Sequence, residues 1–91
     1  MWCSIYVTFL MLEDFQNFIM GDFGDMEVYS DRLEVECFGN HRLLNDVHNW
    51  VQDESQGQVT TVENFDGYDT TTVYQEGVKV METSLPEEVC V

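Results

Sequence analysis

From Trp2 to Leu10, Ile5, Val7 and Phe9 alternate with Ser4, Tyr6 and Thr8. Successive strand side chains point to opposite faces, so this period of two predicts a strand with one apolar face. The period changes at Leu12. Between Leu12 and Met20, Leu12, Phe15, Phe18 and Ile19 fall on one helical face and Glu13, Asp14, Gln16 and Asn17 elsewhere. Gly21 is expected to end this helix in the left-handed conformation that glycine tolerates.

The stretch Asp22–Phe38 returns to alternation and reads as a β-hairpin. Met26 and Val28 flank Glu27, while Leu33, Val35 and Cys37 flank Glu34 and Glu36. The apolar set is expected to face the core and the glutamates the other side, with Tyr29-Ser30-Asp31-Arg32 as the turn. Asn40 is a good N-cap for a second helix, along which Leu43, Leu44, Val47, Trp50 and Val51 form a core-facing stripe. Asp53–Gly57 is the exit loop. Val59–Phe65 alternates as a strand, Asp66–Asp69 is rich in turn formers, and Thr71–Tyr74 with Val78–Met81 flank Gln75-Glu76-Gly77 as a second hairpin.

The element order is thus β-α-β-β-α-β followed by a β-hairpin. This predicts an α+β fold of the ferredoxin-like kind over residues 2–65, with an antiparallel sheet carrying two helices on one face. Residues 1–85 are expected to form one domain and 86–91 a short acidic tail. Beginning at Met1, the chain is expected to be a complete small gene product.

Composition fits a folded domain, with 44% hydrophobic and 13% aromatic residues, which rules against low-hydropathy disorder. Charge is the outlier. Eighteen Asp and Glu oppose Arg32, Arg42 and Lys79, for a net charge of −15. Self-repulsion of that size opposes compaction and calls for a reason. Solubility and a halophilic origin are the ordinary ones. A surface offered to a basic partner is the specific one, and the scarcity of lysine favours it, because an ordinary solvated face mixes both signs. Phosphate-backbone binding is excluded by three cations.

The uncharged first twelve residues lack the basic leader and cleavage site of a signal peptide and are too short to span a bilayer. Cys3, Cys37 and Cys90 are odd in number and widely spaced. Together these predict a reduced, cytoplasmic protein without disulfides, located in the host cytoplasm if a phage encodes it.

Candidate chemistry is sparse. Asp22-Phe23-Gly24 matches a kinase metal-binding triplet, but every companion motif is missing. Glu63, Asp66 and Asp69 form a secondary acidic loop, and neither they nor Asp22, Asp25 and Glu27 follow the spacing of a calcium loop. Cys37, His41 and His48 lack the fourth ligand of a zinc site. A nucleophilic Cys37 would need an electropositive setting, which a −15 chain opposes. No cofactor, no metal and no enzymatic activity are expected.

What remains is the acidic strip Asp22, Asp25, Glu27, Asp31, Glu34 and Glu36. Glu34 and Glu36 lie two strand positions, about 7 Å, apart, a spacing of the order of that between neighbouring backbone phosphates. In size, charge and fold pattern the chain resembles the DNA-mimic inhibitors of phages and mobile elements, of anti-CRISPR and anti-restriction type. That resemblance implies a partner: a host nucleic-acid-binding defence protein whose basic cleft the strip occupies. The competing expectation is a protein–protein interaction module, or a homodimer through an exposed sheet edge, in which charge serves only solubility.

Overall fold

Cys3, Ile5, Val7 and Phe9 are buried while Ser4, Tyr6 and Thr8 between them are partly exposed, so the alternation of the first strand translates directly into two unlike faces. This is seen in a computed structural model, which describes residues 2–86. The strand, β1 (Trp2–Phe9), is followed by α1 (Leu12–Ile19), β2 (Asp25–Tyr29), β3 (Glu34–Asn40), α2 (His41–Glu54), β4 (Gln58–Phe65), β5 (Tyr68–Gln75) and β6 (Val78–Pro86). The fold is α+β: two helices and one six-stranded sheet, every neighbouring pair antiparallel, in the order β2-β3-β1-β4-β5-β6. None of the described helices is long and apolar enough to cross a membrane.

Register aligns the buried positions of successive strands. Ile5 lies opposite Cys37, Val7 opposite Val35 and Thr61, and Phe9 opposite Val59. These join Phe15 and Phe18 of α1 and Leu43, Leu44, Val47 and Val51 of α2 in a single core, so both helices cover the same face of the sheet. α2 packs across β1, β3 and β4, and α1 against β1. The opposite face, bearing Tyr6, Glu27, Glu34 and Glu36, has no described helix over it.

Local sequence accounts for the helix ends only in part. Asn40 caps α2 as expected, its side-chain oxygen accepting from the Arg42 N–H at 3.0 Å. The charges on α2 then run against its dipole, with Arg42 in the first turn and Asp53 and Glu54 in the last. Packing of its apolar stripe, not electrostatics, therefore holds this helix. On α1 no side chain caps the N-terminus. Instead the buried Asp14 accepts N–H groups from Gln56 (3.0 and 3.1 Å) and Gly57 (2.8 Å), tying the helix to the loop before β4.

Several expectations need correction. Leu12, assigned to the apolar stripe of α1, is 54% exposed, and its acidic neighbour Asp14 is the buried residue. Gly21 does not use left-handed backbone; a Cβ there would meet the Phe23 ring at 2.5 Å, so space is what requires glycine. Leu33 leaves the strand, adopting φ +54° at the end of the β2–β3 turn. Trp50 is half-buried, its edge against Phe18 at 5.1 Å between ring centres, while Phe18 stacks flat on Phe23 at 4.3 Å. Asp66–Asp69, rich in turn formers, holds a tighter turn than a four-residue loop. Asp66 and Gly67 have φ +55° and +79°, the signature of a two-residue hairpin turn, and β5 begins at Tyr68. Pro86, expected to open the tail, ends β6; the rest of that tail, Cys90 included, lies outside the described residues.

Burial predicts unequal costs for two leucines. Leu44→Ala, at a site 6% exposed, is expected to lose about 2–5 kcal/mol of unfolding free energy. Leu12→Ala is expected to stay within about 0.5 kcal/mol. Urea titration of both variants checks this, and equal losses would remove Leu44 from the core.

Candidate functional site: an acidic, tyrosine-lined sheet face

Three strands build the uncovered face around the hairpin. Along β2, Asp25 and Glu27 point to it together with Tyr29; along β3, Glu34, Glu36 and Phe38; along β1, Tyr6 and Thr8. Register sets Glu27 directly opposite Glu36 and Tyr29 opposite Glu34. Tyr6, opposite Glu36 on its other side, reaches diagonally to Glu34.

Glu34 is the engaged carboxylate of this face. It accepts the Tyr6 hydroxyl and, at 2.7 Å, the Arg32 Nε–H. Arg32 in turn lies over the Tyr29 ring, 4.5 Å from its centre, a cation–π arrangement. Tyr29 stacks on Tyr6 at 6.3 Å and donates its hydroxyl to Glu27 at 2.8 Å. The Tyr6 hydrogen bond, then the Arg32 one, hold the Glu34 carboxyl below its ordinary value. The same bond pushes the Tyr6 phenol up, as the Glu27 bond does for Tyr29.

Glu36 differs. No described residue hydrogen-bonds or ion-pairs its carboxylate, and it faces Glu27 across the strand pair. Like charges directly opposite on a sheet destabilise it. The cation nearby among the described residues, Arg32, is already committed to Glu34.

The remaining members of the expected strip sit at its ends. Asp31 is exposed in the β2–β3 turn. Asp22 precedes β2 and lines, with Asn40, Arg42 and Asp46, a pocket of about 310 Å³ beside the start of α2. The strip on the open face is therefore Asp25, Glu27, Glu34 and Glu36, flanked by the other two.

The secondary acidic loop does not assemble. Glu63 and Asn64 point to opposite faces of β4, and Asp69, opposite Asn64, accepts its amide at 2.8 Å. Asp66 occupies the turn. Glu63 lies on the helix side, 2.7 Å from His48 Nε2, whose Nδ1 is 2.7 Å from the buried Tyr74 hydroxyl. With Nε2–H donating to the carboxylate, Nδ1 accepts from Tyr74. This polar clasp between α2, β4 and β5 has no signal in the sequence, because its members are 11 and more positions apart. Burial of the Tyr74 phenol is the main cause of its raised pKa.

His48 is thus occupied, His41 is exposed, and Cys37 is fully buried with its thiol pushed up to about 12, chiefly by desolvation and further by Glu36. At neutral pH it carries no thiolate to act as nucleophile or ligand. Among the described residues no three His, Cys, Asp or Glu side chains are placed to hold a metal ion.

The Glu34 network makes a pH-dependent contribution whose sign follows from its lowered pKa. The contribution is present above the unfolded-state carboxylate pKa and is lost as pH falls through the folded value. Tyr6→Phe removes the largest cause and is expected to return the Glu34 pKa upward toward the ordinary range, Arg32→Gln less so. Carboxyl ¹³C NMR titration measures both, and an unmoved Glu34 would show that the network does not set its charge.

No protein-family profile, curated protein or solved structure matches the chain.

Proposed function

We propose that this protein is an acidic nucleic-acid mimic that occupies the basic DNA- or RNA-binding surface of another protein, in the manner of anti-CRISPR and anti-restriction inhibitors. The observation that carries the reading is the opposition of Glu27 and Glu36 on a sheet face that no helix covers, without a described cation to neutralise them. A chain indifferent to that face gains nothing by keeping two carboxylates head-on. A partner's arginine or lysine placed between them relieves the repulsion, and the gain is larger because the site is uncompensated beforehand.

The surroundings suit such a partner. Strands spaced about 4.8 Å apart and residues about 7 Å apart along each strand array the carboxylates on a grid of phosphate-like pitch. Tyr6, Tyr29 and Phe38 interleave aromatic surface, and Arg32 displays within the molecule the arrangement a partner's guanidinium would adopt: on a tyrosine ring and against a glutamate. Net charge of −15 steers the encounter with a basic cleft. The chain order and the place of β1 between β3 and β4 also support reading residues 2–65 as a ferredoxin-like unit extended by the β5–β6 strands.

The test compares two charge reversals of equal size. Glu27→Lys with Glu36→Lys alters the open face; Asp53→Lys with Glu54→Lys alters the exposed end of α2. Immobilised protein is loaded with host lysate and challenged with random-sequence duplex DNA. The parent and the helix variant are expected to release bound proteins to the DNA, and the face variant to capture none of them. If both reversals act alike, or if DNA releases nothing, the face is an ordinary solvated surface.

A further inference from the structure

The two edges of the sheet are built oppositely. β2 is five residues long, carries Asp25 and Glu27, and is bracketed by Asp22 and Asp31, so charge guards it against pairing with another strand. β6 is nine residues long and exposed at every position. Val78, Val80, Met81 and Leu85 are 63, 55, 50 and 61% exposed, and no described strand pairs with its outer edge. Its only charges, Lys79 and Glu82, pair with each other at 3.3 Å. In a chain of net charge −15, β6 is a neutral, apolar edge.

We infer that β6 is the dimerisation edge, taken by β6 of a second copy in antiparallel pairing to give one continuous sheet. Charge selects this occupant. A second copy is repelled by the acidic β2 edge and open face, and is repelled least where the strand's own charges cancel.

Symmetry and register narrow the contact further. A two-fold axis perpendicular to the sheet keeps faces aligned, so paired residues must lie on the same face. Met81, Thr83 and Leu85 share the uncovered face through their partners Val73, Thr71 and Asp69, while Glu82 and Ser84 lie opposite Thr72 and Thr70 on the other. An axis at Glu82 would set two carboxylates head-on. An axis at Thr83 sets Met81 against Leu85 of the second copy, twice, and Glu82 against serine. The irregularity near Val80, where Tyr74 pairs with Lys79 and Val73 with Met81, ends the regular stretch at Met81.

This interface and the acidic face respond to salt with opposite sign. Screening weakens attraction of the acidic face to a basic partner but relieves repulsion between two copies. Sedimentation equilibrium of the full chain is therefore expected to show a monomer–dimer equilibrium that strengthens with salt. Met81→Lys is expected to raise its Kd about tenfold or more, since each copy then sets a lysine against Leu85 of the other in place of an apolar contact. In a Cys90→Ser background, Thr83→Cys is expected to form a covalent dimer on oxidation, because directly opposed Cα atoms about 4.5–5.5 Å apart fall within disulfide reach. Glu82→Cys is expected to stay unlinked. A chain that stays monomeric at all concentrations and salts overturns the inference, as does a dimer insensitive to Met81→Lys or linked no better by Thr83→Cys than by Glu82→Cys.

Discussion

A chain with eighteen acids and three bases folds against its own field, and the disposition of those carboxylates governs the rest of the structure. One goes inside. Asp14 is 1% exposed and meets the N–H groups of Gln56 and Gly57, which replace the water it loses. By accepting them it pins α1, a helix of eight residues without a side-chain cap, to the loop that leads into β4. Two more carboxylates, Glu34 and Glu82, use cations close in sequence. Glu63 meets His48. Glu27 and Glu36, held opposite one another by the β2–β3 register, are left to repel.

One-sided packing turns that leftover into a surface. Both helices share the core with Ile5, Val7, Val35 and Val59, so the side chains alternating with these lie on the face that no described helix covers. The same residues that fix the register of β1 between β3 and β4 fix where Tyr6, Glu34 and Glu36 stand. A slip of one residue would bury the glutamates and expose the core, so fold and surface are specified together. At the far edge, β6 is exposed at every position, and there the sheet turns from acidic to neutral and apolar.

Period and turn chemistry made much of this legible in the sequence. The strand at Trp2, the Asn40 cap, the stripe from Leu43 to Val51 and the outward glutamates of the hairpin all follow from residue spacing. Features that depend on partners distant in the chain did not show. Asp14 reads as an acid in a first helical turn, and only the approach of Gln56 and Gly57 explains its burial. Glu63 falls in phase with the inward Val59 and Thr61 without revealing His48 and Tyr74 as its destination, so grouping it with Asp66 and Asp69 failed once the strand set Glu63 and Asp69 on opposite faces. The Asp66-Gly67 pair did carry a local signal for a tight hairpin, and its reading as a loop undervalued it. Arg32 was visible as the lone cation of the strip, whereas its seat on Tyr29 required the turn geometry.

Glu27 and Glu36, opposite one another with no described cation between them, repel each other in the free protein. A double-mutant cycle on thermal stability measures this directly. Glu27→Gln and Glu36→Gln are each expected to raise the Tm at low salt, with the double variant gaining little beyond either single change, and both gains fading at roughly 1 M salt as screening replaces them. Lowered Tm values, or gains that add fully and ignore salt, would show that the two carboxylates are already compensated and do not repel.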